Sequence, residues 1–184
     1  METSLLAGWE NFYVIVGTSA GGLTGLTFVV IALVKDRTSS TVRPSGVSVF
    51  VTPTIVHFGG VLAFAALMSM PHPHVLTVST VFVVAGIAGV VYSAVIGFHM
   101  PGPGSYYVAV REDWIWNVIV PMVIYAALAL EGLLVWRWQT EALYGVAVLT
   151  LALLFVGIRN AWDIAVFMTL NPPPGGTGGS DDTT

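Results

Sequence analysis

Few side chains in this 184-residue chain could do chemistry, and those few are polar or ionisable groups set singly in long apolar runs. Arg159 and Asp163 stand one helical turn apart with Asn160 and Trp162 between them, a spacing at which a guanidinium and a carboxylate pair directly. Glu112 and Asp113 are alternative partners for the same cation. A fixed guanidinium can also attract a passing carboxylate, phosphate or halide, because it keeps its charge and presents a fork of donors. His57 follows Pro53 and precedes Gly59 and Gly60. A buried histidine is ordinarily a neutral ring hydrogen-bonded to a hydroxyl or carbonyl, and it is also a side chain that can carry protons near neutral pH. Glu131 is the remaining isolated charge.

Other groupings lead nowhere catalytic. His72 and His74 form a His-x-His pair in the Pro71 to Pro73 turn, with no third ligand nearby in sequence, which makes an exposed loop the expectation. Haem held by two histidines needs ligands at matching depth, and His57 at mid-helix with His99 at a helix end does not supply it. The sequence holds no nucleophile with a base at a recognisable spacing, no phosphate-binding glycine loop and no intramembrane carboxylate dyad; Gly102 to Gly104 belong to a turn. A non-enzymatic protein without a cofactor or metal is expected.

The elements that carry these residues are dictated by composition. Hydrophobic residues make up 55% of the chain and charged residues 9%, with a mean hydropathy of +0.84; soluble domains carry roughly a quarter charged residues. The net charge of -4 and the lack of a basic cluster speak against a nucleic-acid partner, and the absence of cysteine removes disulfides and thiol chemistry. Five apolar stretches, at about 11–34, 46–70, 75–99, 114–136 and 142–168, each match the length of a membrane-spanning helix. An all-α polytopic bundle of about five spans, residues 1–170, is the expected fold. The lipid bilayer is then its first partner and a cell membrane its location.

Lys35, Arg37 and Arg43 in the first connection and Arg111 in the third place those loops on the cytoplasmic side, with the N-terminus outside and the C-terminus inside. The segment Met1 to Glu10 has no Lys or Arg, so the first stretch is expected to persist as a helix rather than be cleaved as a signal peptide. Trp9, Tyr13, Tyr106, Tyr107, Trp114, Trp116, Trp136, Trp138 and Tyr144 fall near predicted helix ends, the headgroup level that these rings prefer. Residues 171–184, rich in Pro and Gly, are expected to form a disordered cytoplasmic tail.

In lipid, helices associate by close backbone approach, which needs small residues at the contact. Gly17, Gly21 and Gly25 in the first helix and Ala85, Gly89, Ser93 and Gly97 in the third are each spaced four apart, and the two stripes could pack on each other or against a second copy. Pro53 and Pro121 should kink the second and fourth helices.

Two segments carry a resemblance. Asn11-Phe-Tyr-Val-Ile-Val-Gly-Thr-Ser-Ala-Gly-Gly-Leu-Thr-Gly-Leu-Thr-Phe-Val-Val resembles the first helix of small bacterial integral membrane proteins of no established function, and Gly157-Ile-Arg-Asn-Ala-Trp-Asp163 resembles a late motif of the same proteins. The resemblance implies a bacterial inner-membrane protein and draws interest to Arg159, Asn160, Trp162 and Asp163, without transferring an activity. The sequence thus supports a membrane protein that assembles through small-residue faces with itself or within a larger membrane complex. The alternative is a small oligomeric ion or proton channel or transporter, with Glu131, His57 and the Arg159–Asp163 pair at outer, middle and inner levels.

Overall fold

The computed structural model describes residues 8–37, 47–100 and 111–170. Helix α1 spans Glu10–Arg37, α2 Val47–Met68 and α3 Val75–Phe98; a short α4, Arg111–Trp114, runs through a π turn, Ile115–Ile119, into α5, Val120–Leu134, and α6 spans Gln139–Leu170. Arg43, Tyr106, Tyr107, the Gly102 to Gly104 turn and the 171–184 tail lie outside the described residues, as do the side chains of Lys35 and Arg37.

The chain is an all-helical polytopic membrane protein. Four helical segments, Glu10–Ala32, Val75–Phe98, Arg111–Leu134 and Gln139–Val166, are long and apolar enough to cross a bilayer, while α2 is apolar over the shorter stretch Thr52–Met68. Its outer surface confirms the solvent. Val14, Ile15, Phe28, Val84, Ile87, Val91, Val123, Leu133, Val148 and Phe155 are all exposed, an apolar coat that water would not tolerate and hydrocarbon does.

Inside, α1 packs along α2, α2 along α6, α3 along α5 and α5 along α6. The two small-residue stripes therefore do not meet each other as their principal contacts. Gly17 sits where an added Cβ would come within 2.8 Å of the Ala65 Cβ on α2. The α3 face uses Gly86 as well as the expected Gly89: an added Cβ at position 86 would stand 2.6 Å from the Tyr125 carbonyl oxygen and the Ala129 nitrogen, and one at position 89 would fall inside the Tyr125 ring. Gly132 on α5 replies, its absent side chain making room for the Val83 backbone, and Ser79 Oγ donates a 2.7 Å hydrogen bond to the Gly132 carbonyl. Gly97 continues the seam beside Val118, with Ser93 buried and Ala85 half-buried. Because buried positions on α3 recur as Val78, Ser79, Phe82, Gly86, Gly89 and Ser93, alternating steps of three and four, a strict four-residue stripe drifts off the contact face.

Pro121 has a sharper local effect than a simple kink. Lacking an N–H, it leaves the carbonyl four residues back without its α-helical donor and crowds it. The helix widens just before it, and the Val120 N–H bonds the Ile115 carbonyl five residues back. Pro53 sits within α2, beside buried Thr54. Of the aromatic residues placed near the headgroups, Trp114, Trp136, Trp138 and Tyr144 are exposed, but Tyr13 is fully buried in the core, held among Trp9 and Phe12.

Gly89→Leu is expected to destabilise the bundle by at least about 1–3 kcal/mol, the usual cost of overpacking, and Gly25→Leu to leave intramolecular stability nearly unchanged. Reversible unfolding in mixed detergent micelles measures both.

Candidate functional site

The polar residues singled out in the sequence occupy three separate settings. At mid-bundle His57 is 0% exposed, and its Nδ1 lies 3.1 Å from the hydroxyl of Tyr125 on α5. Gly60, one turn along α2, lies beside that hydroxyl and Leu153 of α6, at distances where an added Cβ would make ordinary contact. The simplest arrangement has the phenol donating to Nδ1, which makes Nε2 an N–H donor. The structure gives that Nε2 no partner, although it is buried.

At one end of the bundle, Glu131 lies about 9 Å of helix rise beyond Tyr125. Its carboxylate occupies the place where a Cβ on Gly145 of α6 would stand. Glu131 borders an open groove of about 420 Å³ with Leu134, Trp138, Glu141 and Ala142. His72, at φ 51° in the neighbouring turn, and His74 are exposed, and among the described residues no group of three metal-ligating side chains forms.

At the opposite end, Arg159 forms a 2.6 Å ion pair with Asp163 and a longer one of 3.6 Å with Glu112 of α4. Its guanidinium carbon stands 4.6 Å from the centre of the Trp116 ring. The pair is therefore held within its own helix and clamped to α4 and the π turn, with every member partly exposed. Trp162 faces outward, and His99 at the end of α3 folds back, its Nδ1 2.8 Å from the Val95 carbonyl. Asn160 is different: it is 3% exposed, and neither its amide nitrogen nor its oxygen has a partner.

Two contributors escaped the sequence reading. Asn117, 5% exposed in the π turn, donates to the Asp113 carbonyl at 3.1 Å while its own oxygen is unpartnered. The available signal was its position four residues before Pro121. Tyr125 gave none, since an aromatic residue in an apolar run reads as packing. A buried polar atom with no hydrogen bond costs roughly 2–7 kcal/mol in an apolar medium, so four such atoms in His57, Asn117 and Asn160 are a substantial chemical demand.

What the arrangement can do follows from these settings. The Arg159 end offers a cation already neutralised by two carboxylates, the centre offers a hydrogen-bonded imidazole, and the Glu131 end offers two carboxylates, Glu131 and Glu141, beside open space. No family model, curated protein or solved structure matches the chain.

Tyr125→Phe keeps the ring against Gly89 and removes only the hydroxyl. Its expected cost is about 0.6–1.7 kcal/mol, the range of interhelical hydrogen bonds in membranes, read from unfolding in mixed micelles. Asp163→Asn should cost under about 1 kcal/mol, because the pair is half-exposed and Glu112 remains.

Proposed function

We propose that this protein is a non-enzymatic membrane component that assembles, through the outward small-residue face of α1, with a second copy of itself or as an accessory subunit of a larger membrane complex. One observation carries this reading. Beyond Gly17, nothing among the described residues covers the small face of α1: a Cβ added at Gly22 or Gly25 would meet nothing within 4 Å, and one at Gly21 would only touch Leu62 at 4.0 Å. Thr18, Ser19, Gly22 and Gly25 are exposed on that helix. Glycine inside a helix costs roughly 0.5–1 kcal/mol relative to alanine, and in lipid the return on that cost is close approach of another helix. The glycines of α3 obtain that return within the chain, from Tyr125 and Ala129, and Gly17 of α1 obtains it from Ala65; Gly22 and Gly25 do not among the described residues.

Transport along Glu131, His57 and Arg159 would require a common wetted face. The His57–Tyr125 bond and the buried apolar residues beyond it, Val61, Phe64, Leu128 and Leu153, instead separate His57 from Glu131, and Glu131 and Arg159 sit at the two ends beside different neighbours. The orientation that supports this reading keeps the basic connections in the cytoplasm, in a bacterial inner membrane.

Because the chain has no native cysteine, single substitutions report contacts cleanly. Gly22→Cys and Gly25→Cys are expected to cross-link in native membranes, whereas Val84→Cys on the exposed face of α3 should not. A self-adduct identifies a homo-oligomer and an adduct of other mass a larger complex. If Gly22→Cys stays uncross-linked and Gly22→Leu migrates with the native size in mild detergent, the proposal fails.

A further inference from the structure

The four unpartnered polar atoms of His57, Asn117 and Asn160 are distributed along one side of the bundle's depth. Glu131 of α5 touches Gly145 of α6, and the two helices run in opposite directions, so fourteen residues back from Glu131 is Asn117 and fourteen on from Gly145 is Arg159, next to Asn160. The contact of Arg159 with Trp116, the neighbour of Asn117, fixes the same level independently. On α2, the Phe58 ring fills the place of a Gly157 side chain, and stepping one turn further along both helices brings Asn160 level with buried Thr54. His57 then lies one turn deeper. Asn117, Asn160 and His57 thus belong to facing helices in the half of the bundle that ends at the Arg159 ion pairs.

The other half is sealed. Beyond the His57–Tyr125 bond the interior consists of Val61, Phe64, Ala65, Met68, Phe82, Leu128 and Leu153, all buried. Of the buried hydroxyls there, Ser79 is bonded to the Gly132 carbonyl and Thr150 to the Val146 carbonyl; the Tyr13 hydroxyl, near the start of α1, is a single unpartnered atom set apart from the other four. A site that presents amide donors, amide acceptors and an imidazole N–H together suits neither an anion, which wants donors alone, nor a metal cation, which wants acceptors alone. It suits a small neutral molecule that both donates and accepts.

We propose that the bundle contains a hydrated recess in which Asn117, Asn160 and His57 take water as their ligand, open toward the Arg159 end and closed by the His57–Tyr125 bond. The recess is a dead end, not a path through the membrane, and it does not depend on how the protein assembles.

Magnetisation transfer from water, measured by nuclear magnetic resonance on the intact ¹⁵N-labelled protein in lipid nanodiscs, tests the hydration without any substitution. Transfer is expected to the Asn160 side-chain amide and the His57 Nε2–H, as to the exposed Gln139 amide, but not to the Leu128 or Leu153 methyls; absence of transfer to Asn160 and His57 overturns the proposal. The opening is tested with single cysteines and a small membrane-impermeant thiol reagent. Asn160→Cys should be modified from the same membrane face as Arg111→Cys, while Leu128→Cys stays unmodified. Modification of Asn160→Cys from the opposite face, or from neither, overturns the one-sided access.

Discussion

The seat of the Tyr125 ring in the gap left by Gly89 is the contact on which the rest of the interior depends. Lipid gives helices no hydrophobic reason to touch, so their association has to come from dispersion at very short range and from hydrogen bonds that cannot be made to water. Gly86, Gly89 and Gly132 bring the backbones of α3 and α5 close enough for both, and Ser79 adds the cross-helix bond. Seated there, Tyr125 reaches across the bundle, its hydroxyl meeting His57 of α2 in the space beside Gly60. One aromatic side chain thereby ties three helices and fixes the orientation of the imidazole.

Energetically the two ends are treated differently from the middle. The charges of Arg159, Asp163, Glu112 and Glu131 remain partly exposed, where their solvation is not wholly lost. Among the described residues the buried polar side chains are uncharged: Thr54, His57, Ser79, Ser93, Asn117, Thr150 and Asn160. Ser79, Ser93, Asn117 and Thr150 donate to a helix carbonyl, the cheapest way to satisfy a polar atom in hydrocarbon. His57 and Asn160 hold polar atoms outside that scheme, and Asn117 keeps one such atom too, which is why they carry the chemical interest.

Much of this is legible in the sequence. Hydrophobic run length fixes helix existence, and the expected spans agree with the observed helices to within a few residues because a charged or proline-containing connection ends each run. The pairing of Arg159 with Asp163 was legible for the same reason, being local to one helix. Long-range partners were not. A spacing of four picked out Gly21 and Gly25 on a face of α1 that the chain leaves open, and missed Gly86, because the true contact face of α3 alternates threes and fours as wound helices do. Tyr125 was invisible because its role depends on a gap in α3, far away in sequence; Asn117 had a local signal in Pro121, four residues on, but only the distortion that the proline creates gives that spacing its meaning.

That distortion has a further reach. The wider turn at Ile115–Ile119 amounts to about one extra residue in the helix, and a residue corresponds to roughly 100° of rotation about the axis. The segment before it is therefore out of phase with the segment after it. Val118 and Tyr125 can lie against α3 while Trp116 and Glu112, only a short distance back along the chain, reach round to Arg159 on α6. The regular part of α5 already meets both neighbours; the slip in phase decides which residues of the segment before it turn toward α3 and which toward α6.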